Sequence, residues 1–348
     1  MRVLQLGPYP PPHGGVQSNL VAIRTFLRKN GIPCSVINIT RHRKPEADEV
    51  YYPENAWQLA GLLRRLPYDI LHLHIGGMLS SRLLSLALVC ACMPGRKSVL
   101  TFHSGGYPST PEGQATGPAS LAGFVVRRFD ALIGVNSEIM KFFAKLHVAS
   151  ERAHLIYPHA FLEGEGQAPD LPEALKVFFD QHSPVFLSVG LLEPEYDLLL
   201  QIEVLGQVRE KMPNAGLVMI GSGSLEGDLR ARIAAKPYAE HMLLSGDVAH
   251  AATMQAIGQS DVMLRTTLYD GDAVSVREAL HLGIPVIASD NGMRPEGVHL
   301  IPKSNLQALE QAIAEVLANP RSIGKPQTAP DETNLQAVLD LYKKLLGV

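Results

Sequence analysis

DVMLRTTLYDGDAVSVREALHLGIPVIASDNG, residues 261–292, decides the architecture. Residues 262–264 are a short apolar run, and Tyr269-Asp270-Gly271-Asp272 is turn chemistry. Residues 273–282 carry helical periodicity, Gly283 ends it, and Pro285 opens the run 286–288. Strand, loop, helix, strand is the repeating unit of a parallel sheet. The loop leaves backbone N–H groups free at a helix N-terminus, where the dipole also favours negative charge, so a phosphate fits there. Glu278 lies inside this helix with Val274 and Leu282 four residues to either side. A second apolar stripe runs through Ala273, Val276, Ala279 and Leu280. A helix apolar on two sides is buried, and a buried carboxylate needs a partner. A ribose diol, with two hydroxyl donors, would serve. Asp270 and Glu278 are eight residues apart, which is ~12 Å along a helix, about the span from sugar to ribose in a folded nucleotide-sugar. The plainer reading of the same residues is a solvated helix glutamate and a turn-forming aspartate.

Working outward, the same alternation fills the chain. Upstream, residues 2–6 read as a strand, 7–15 as a Pro/Gly-rich loop and 16–29 as a helix. Strands follow at 34–39, 70–74, 98–102, 131–135 and 155–157, with helices at 57–66, 78–92 and 137–147, the last capped by Ser137. Residues 40–54 and 104–120 read as long loops, a length that in a compact domain signals function or disorder. After Pro158 a second series begins. Its strands are expected at 185–189, 217–220, 242–244, 262–264, 286–288 and 298–301. Its helices are expected at 195–211, 225–235, 251–259, 273–282 and 305–317, and a last helix at 333–346 follows a Pro/Gly/Thr-rich linker. Two consecutive series predict an α/β chain of two doubly wound, Rossmann-like domains facing across a cleft. The predicted bounds are 1–158, 159–330, and 331–348 for a helix that crosses back to the first domain. Ligands of such sheets sit at the C-terminal ends of the strands.

Composition bounds the rest. The 348 residues are 46% hydrophobic and 19% charged, as in ordinary globular domains. Cys34, Cys90 and Cys92 have no metal-type spacing, and their odd number fits a reducing, cytoplasmic compartment. The segment 1–6 is too short for a secretory leader, and 78–93 contains Arg82 and stops at Pro94, too short to span a bilayer. The net charge of −3 hides a split: residues 1–158 hold 17 Lys+Arg against 9 Asp+Glu, and residues 159–348 hold 14 against 25. The halves are therefore +8 and −11, which predicts different partners for them.

The stretch from Asp270 to Asp290 resembles the "Glu, seven residues, Glu" motif of the family 4 glycosyltransferases, retaining nucleotide-sugar enzymes of the GT-B fold, together with their following Ala-Met-x-x-Gly-x-Pro-Val. GGV at 14–16, FHS at 102–104, NSE at 136–138, SVGLLEPEYD at 188–197 and IGSGSLEGDL at 220–229 resemble further family segments. The resemblance covers essentially the whole chain. It implies transfer of a sugar from a nucleotide diphosphate-sugar, a co-substrate rather than a bound cofactor, to a hydroxyl acceptor in polysaccharide or glycolipid synthesis. It implies that Glu278 holds the ribose, that Asp270 contacts the donor sugar, and that the backbone at Asp272, Ala273 and Val274 holds the diphosphate. Gly14 and Gly15 would approach the phosphates, His103 would sit beside the transferred sugar, and Val248 would border the nucleobase. Gly190, in a glycine loop after a strand, would belong to the donor-binding set.

Three departures stand out. Asp270 replaces a glutamate, and Leu191 and Tyr196 replace the family's arginine and lysine beside Gly190. One well-placed donor of that kind contributes ~3–4 kcal/mol to the transition state. Arg265, after a buried strand, is the best substitute and Arg294 the second. The competing reading of Arg265 is a surface ion pair with Asp261. Asp270-Gly271-Asp272 also spells the Asp-x-Asp of metal-dependent glycosyltransferases of another fold. The two-domain alternation argues against that fold, so no metal is expected. His72 and His74 alternate with Leu71 and Leu73 and read as same-face residues packed under a helix. The basic pairs Arg64-Arg65, Arg96-Lys97 and Arg127-Arg128 point to an acceptor, lipid-linked or saccharide, at an anionic membrane surface, with the protein peripheral to its inner face. No nucleic-acid partner is expected. Two other readings stay open: a catalytically impaired, glycosyltransferase-like subunit that binds or regulates, and a nucleotide-sugar epimerase of similar fold.

Overall fold

The computed structural model describes residues 1–10, 15–40, 48–158, 171–269, 273–292, 294–319 and 332–348. Contacts divide the chain into two units, Met1–Leu162 with Asp331–Val348, and Glu163–Pro330. The first unit holds strands β1 (Val3–Gly7), β2 (Cys34–Asn38), β3 (Val50–Tyr51), β4 (Ile70–Ile75), β5 (Lys97–Phe102), β6 (Ala131–Gly134) and β7 (Ala153–Leu155). They form one parallel sheet in the order β3-β2-β1-β4-β5-β6-β7. The second unit holds β8 (Val185–Val189), β9 (Gly216–Ile220), β10 (Met242–Gly246), β11 (Val262–Arg265), β12 (Val286–Ser289) and β13 (His299–Ile301). They form a second parallel sheet, β10-β9-β8-β11-β12-β13. Each unit is thus a doubly wound, Rossmann-like domain. The strands read as continuous apolar runs because helices cover both sheet faces: β1, β4 and β6 are buried at every position.

The last helix, Thr333–Leu346, belongs to the first unit. Its Leu335, Val338, Leu339, Leu341 and Tyr342 share one core cluster with Ile23, Phe26 and Leu27 of the helix Gly15–Lys29. That stripe follows helical spacing, so it is the apolar face of an amphipathic helix.

Several local expectations change. Residues 40–54 contain the two-residue strand β3, whose Val50 and Tyr51 pair with Val36 and Ile37. A pair that short carries no periodicity. The stretch 104–120 is compact rather than an open loop. A 3-10 turn, Tyr107–Ser109, leads to a short helix, Pro111–Ala115, whose Thr110 Oγ1 accepts from Gly113 N at 3.1 Å. The reason is the buried Tyr107 ring, which meets Phe102 and Phe142 edge-on at 5.7 and 5.5 Å. Gly113 passes so close that a Cβ there would lie 1.9 Å from the Tyr107 carbonyl oxygen. A further helix, Leu121–Val126, follows, and the helix Glu173–Gln181 precedes β8. Asn136, not Ser137, caps the helix Ser137–Lys145, accepting from Ile139 N at 2.9 Å. The strand expected at 155–157 is shifted to Ala153–Leu155 by its register with β6. The helix expected at 195–211 is broken by Asp197, which sits at φ 49° between a 3-10 turn and the helix Leu198–Lys211.

Cys34 and Cys90 are buried, Cys92 is exposed, and all three are free. Among the described residues no helix is long and apolar enough to cross a membrane.

Candidate active site

In the second sheet the chain order reverses between β8 and β11, and ligands of such sheets bind outside the strand ends at that point. β8 ends at Val189 and β11 at Arg265. Arg265 is only 6% exposed; its Nη1 donates to the Val189 carbonyl at 2.8 Å, and its guanidinium carbon lies 4.7 Å from the centre of the Tyr196 ring. A planar guanidinium keeps its full charge while stacked on a ring face. Gly190 makes this approach possible. A Cβ there would meet Tyr196 Cε1 at 2.3 Å and Arg265 Nη1 at 2.8 Å. Arg265 is therefore not a surface residue, and Asp261 lies at the other end of β11, where it accepts from Val185 N at 2.7 Å. Of the two residues that stand in for the expected cations, Leu191 is 54% exposed and Tyr196 lies beneath Arg265. The turn holding Tyr196 is tied to the strand end: Thr266 Oγ1 donates to Tyr196 O at 2.8 Å and accepts from Gln201 Nε2 at 2.8 Å, while Leu268 N donates to Glu195 O at 2.8 Å.

The helix Val274–His281 follows β11. Ala273 stands at its N-cap and offers no capping side chain. Ser275 Oγ donates to the same Val189 carbonyl at 3.4 Å, so the first helical turn and Arg265 meet on one backbone oxygen. Glu278 is 3% exposed, as its two apolar flanks predict, and it accepts from His250 Nε2 at 2.7 Å. His250 opens the neighbouring helix, His250–Gln259, two residues after the half-buried Val248. Sequence reasoning missed this partner. Residues 250 and 278 stand on separate crossover helices, and no local spacing relates them. Arg294 turns back on the sheet, donating through Nε to Ser289 O at 3.0 Å and through Nη2 to Thr267 Oγ1 at 2.6 Å.

In the first unit, His103 directly follows β5 and is half-buried at the C-terminal edge of the sheet. Its Nε2 lies 3.2 Å from His74 Nδ1. His72 and His74 are fully buried in β4, and burial pushes the pKa of His72 down to about 3 and that of His74 well below the ordinary imidazole value. Burial lowers His103 as well. Rather than only packing, the two β4 histidines carry hydrogen bonds: His72 Nε2 with Thr101 Oγ1 at 2.6 Å, and His74 Nε2 with Gln5 Oε1 at 2.9 Å. Gly15 is the first residue of the helix Gly15–Lys29. Asp270, Asp272 and Gly14 lie outside the described residues. Among the described residues no group of three His, Cys, Asp or Glu side chains is arranged to hold a metal ion.

Comparison with known proteins places this geometry. The Glycosyltransferase Family 4 model matches residues 13–159 and the Glycosyl transferases group 1 model matches residues 174–332. An uncharacterized glycosyltransferase of Methanocaldococcus jannaschii is 29% identical over 122 residues, 35% of this chain and 29% of that protein's length. Anabaena HepE in complex with UDP superposes with a TM-score of 0.65 at 15% identity, covering 100% of both chains. HepE in complex with UDP-glucose gives 0.65 at 15% identity, over 100% of this chain and 98% of that one. Sucrose-phosphate synthase from Thermosynechococcus elongatus gives 0.68 at 16% identity over 100% of both. At such identities the solved structures speak for the fold, and the two sequence models speak for the family. The chain belongs to the family 4-like GT-B glycosyltransferases.

Proposed function

We propose that the protein transfers a glycosyl group from a nucleotide diphosphate-sugar to a hydroxyl acceptor, with retention and without a metal. The observation that carries this reading is Arg265, a buried guanidinium at the switch point of the second sheet, stacked on Tyr196 and separated from Gly190 by less than a methyl group. It offers positive charge beside the two positions where the expected cations are missing. Charge grows on the diphosphate as the sugar–phosphate bond breaks, and a cation already in place there lowers the barrier without reorganising. The uncapped helix start at Ala273 and Val274 supplies N–H groups for the same phosphates. Glu278, with one oxygen on His250, has a second oxygen for the ribose diol. Val248 borders the base, Arg294 stands as a second cation, and His103 meets the sugar. Gly14, Gly15, Asp270 and Asp272 take their roles from the family motif. The HepE complexes with UDP and UDP-glucose support a nucleotide-sugar as the donor class. Among the described residues no side chain is an obvious nucleophile, so a phosphate oxygen of the leaving group takes the acceptor proton, and catalysis rests on positioning and electrostatics.

Arg265→Ala tests this. We expect kcat to fall by about 10²–10³-fold with donor affinity changed little, because the charge matters most in the transition state. A mutant with unchanged turnover would reject Arg265. Wild type that binds donor but never releases nucleoside diphosphate favours the second reading, an impaired binding or regulatory subunit, which Leu191 and Tyr196 motivate.

A further inference from the structure

A chain of buried hydrogen bonds in the first unit fixes which nitrogen of His103 carries its proton. Gln5, fully buried in β1, donates through Nε2 to the Leu20 carbonyl at 3.1 Å and to Cys34 Sγ at 3.3 Å. A carbonyl oxygen only accepts, so the amide nitrogen must face Leu20 and the amide oxygen must face the other way, toward β4. There His74 Nε2 lies 2.9 Å from Gln5 Oε1. An amide oxygen only accepts, so the proton sits on His74 Nε2. A neutral imidazole has one N–H, which leaves His74 Nδ1 bare. His74 Nδ1 lies 3.2 Å from His103 Nε2, so His103 Nε2 supplies the proton of that bond. His103 Nδ1 is then the bare nitrogen, and it makes no hydrogen bond to any described residue. The two bonds from Gln5 to His74 and from His74 to His103 cross β1, β4 and the end of β5, which are neighbours in the sheet.

We propose that Gln5 and His74 are positioning residues that hold His103 as the neutral Nε2–H tautomer, so that its bare Nδ1 accepts a hydrogen bond from a substrate hydroxyl. This rests on the reading of His103 as a substrate-facing residue. The chemistry narrows what His103 meets. A bare ring nitrogen attracts a hydroxyl donor and repels a phosphate oxygen, so the group is a sugar or acceptor hydroxyl and not the diphosphate. Burial agrees, since it disfavours the imidazolium of His72, His74 and His103. The groups packed about the chain, Thr101 and the phenol of Tyr342 against His72, are neutral, and no carboxylate joins it among the described residues.

The test is long-range proton–nitrogen NMR on the full chain with ¹⁵N-labelled histidine, together with steady-state kinetics. In wild type, His103 is expected to show a protonated Nε2 and an unprotonated Nδ1 from pH 5.5 to 8. A protonated Nδ1 overturns the proposal without any variant. Gln5→Leu and His74→Leu should convert His103 to a mixture of tautomers and lower kcat about 10-fold or more by misplacing the ring. His74→Asn, which keeps an oxygen acceptor near the position of Nδ1, should restore both the tautomer and most of the rate. If His74→Leu and Gln5→Leu fold, as judged by an unchanged thermal midpoint, but leave tautomer and rate as in wild type, positioning is refuted. His103→Ala separates this inference from the functional reading. Full turnover in that variant, with the wild-type tautomer still dependent on Gln5 and His74, removes the hydroxyl contact and His103 from the substrate site. Lost turnover with a His103 tautomer indifferent to Gln5 and His74 keeps the functional reading and overturns the positioning.

Discussion

Glu278 and Arg265 are charged side chains almost closed off from water, and each is compensated by a group from elsewhere in the chain. Glu278 accepts from His250, and Arg265 donates to Val189 O and stacks on Tyr196. Replacing Glu278 by Gln keeps the shape but removes the charge that strengthens a hydroxyl-to-carboxylate bond. A hydrogen bond to a charged group contributes about 1.5–3 kcal/mol, so donor affinity should fall by about 10- to 150-fold in calorimetry, and an unchanged affinity would reject the ribose assignment. His250→Ala leaves the Glu278 carboxylate with one partner fewer. We expect it to destabilise the second unit by about 1–3 kcal/mol, seen as a lower urea midpoint, and to weaken donor binding less than Glu278→Gln does. Glu278's burial was legible from its apolar neighbours in the sequence, whereas for Arg265 the sequence showed only its place after an apolar strand, and its burial came from the structure. Neither residue's partner was legible, because His250 and Tyr196 approach through the packing of separate crossovers.

β4 carries a consequence that can be read by acid titration. An unfolded chain binds a proton at each histidine below about pH 6.5. Folded β4 does not, since burial holds His72 down to about 3 and His74 well below its ordinary value. Below pH 6.5 the unfolded state therefore binds more protons than the folded one, and stability falls as pH falls, by up to about 1.4 kcal/mol per pH unit for each buried histidine until its folded value is reached. Urea midpoints measured from pH 7.5 to 4.5 should drop for wild type and drop less for His72→Gln. A midpoint independent of pH would contradict the neutral, buried state of these rings. The last helix offers a second check. Leu339 lies buried in the cluster it shares with Ile23, Phe26 and Leu27, so Leu339→Ala should cost about 2–5 kcal/mol by denaturant unfolding of the first unit.

The charge split, +8 for residues 1–158 and −11 for the remainder, bears on where the protein works, and the structure sorts the cations that carry it. Arg127 points inward, its Nη1 donating to Pro118 O at 2.9 Å and Leu146 O at 2.7 Å, and Lys97 pairs with Asp130 at 3.1 Å. Arg64, Arg65, Arg96 and Arg128 remain exposed, and Arg128 lies over the half-exposed ring of Phe124, 4.5 Å from its centre. Each such cation near an anionic leaflet contributes ~1 kcal/mol, screened beyond a Debye length. The expected outcome is that wild type pellets with anionic liposomes at low salt and is released at high salt, while the Arg64/Arg65/Arg96/Arg128 quadruple alanine variant stays in solution. Arg127→Ala should instead lower stability without changing the partition. Wild type that ignores anionic vesicles would point to a water-soluble acceptor.

Two doubly wound sheets followed from the sequence alone, because strand and helix periods are local properties and their alternation repeats through residues 2–158 and 185–317. So did the burial of Glu278 and the strand-end place of His103 and Arg265, each read from neighbours within a few residues. Only the tertiary structure decided what those residues touch. The bond from His250 to Glu278, the stacking of Arg265 on Tyr196, and the line from Gln5 through His74 to His103 join positions 28, 69, 69 and 29 residues apart. Such distances in the chain are closed by sheet register and helix packing. Hydrogen bonds and ring contacts act only over a few ångströms, so they exist once the backbone has brought those strands and helices together.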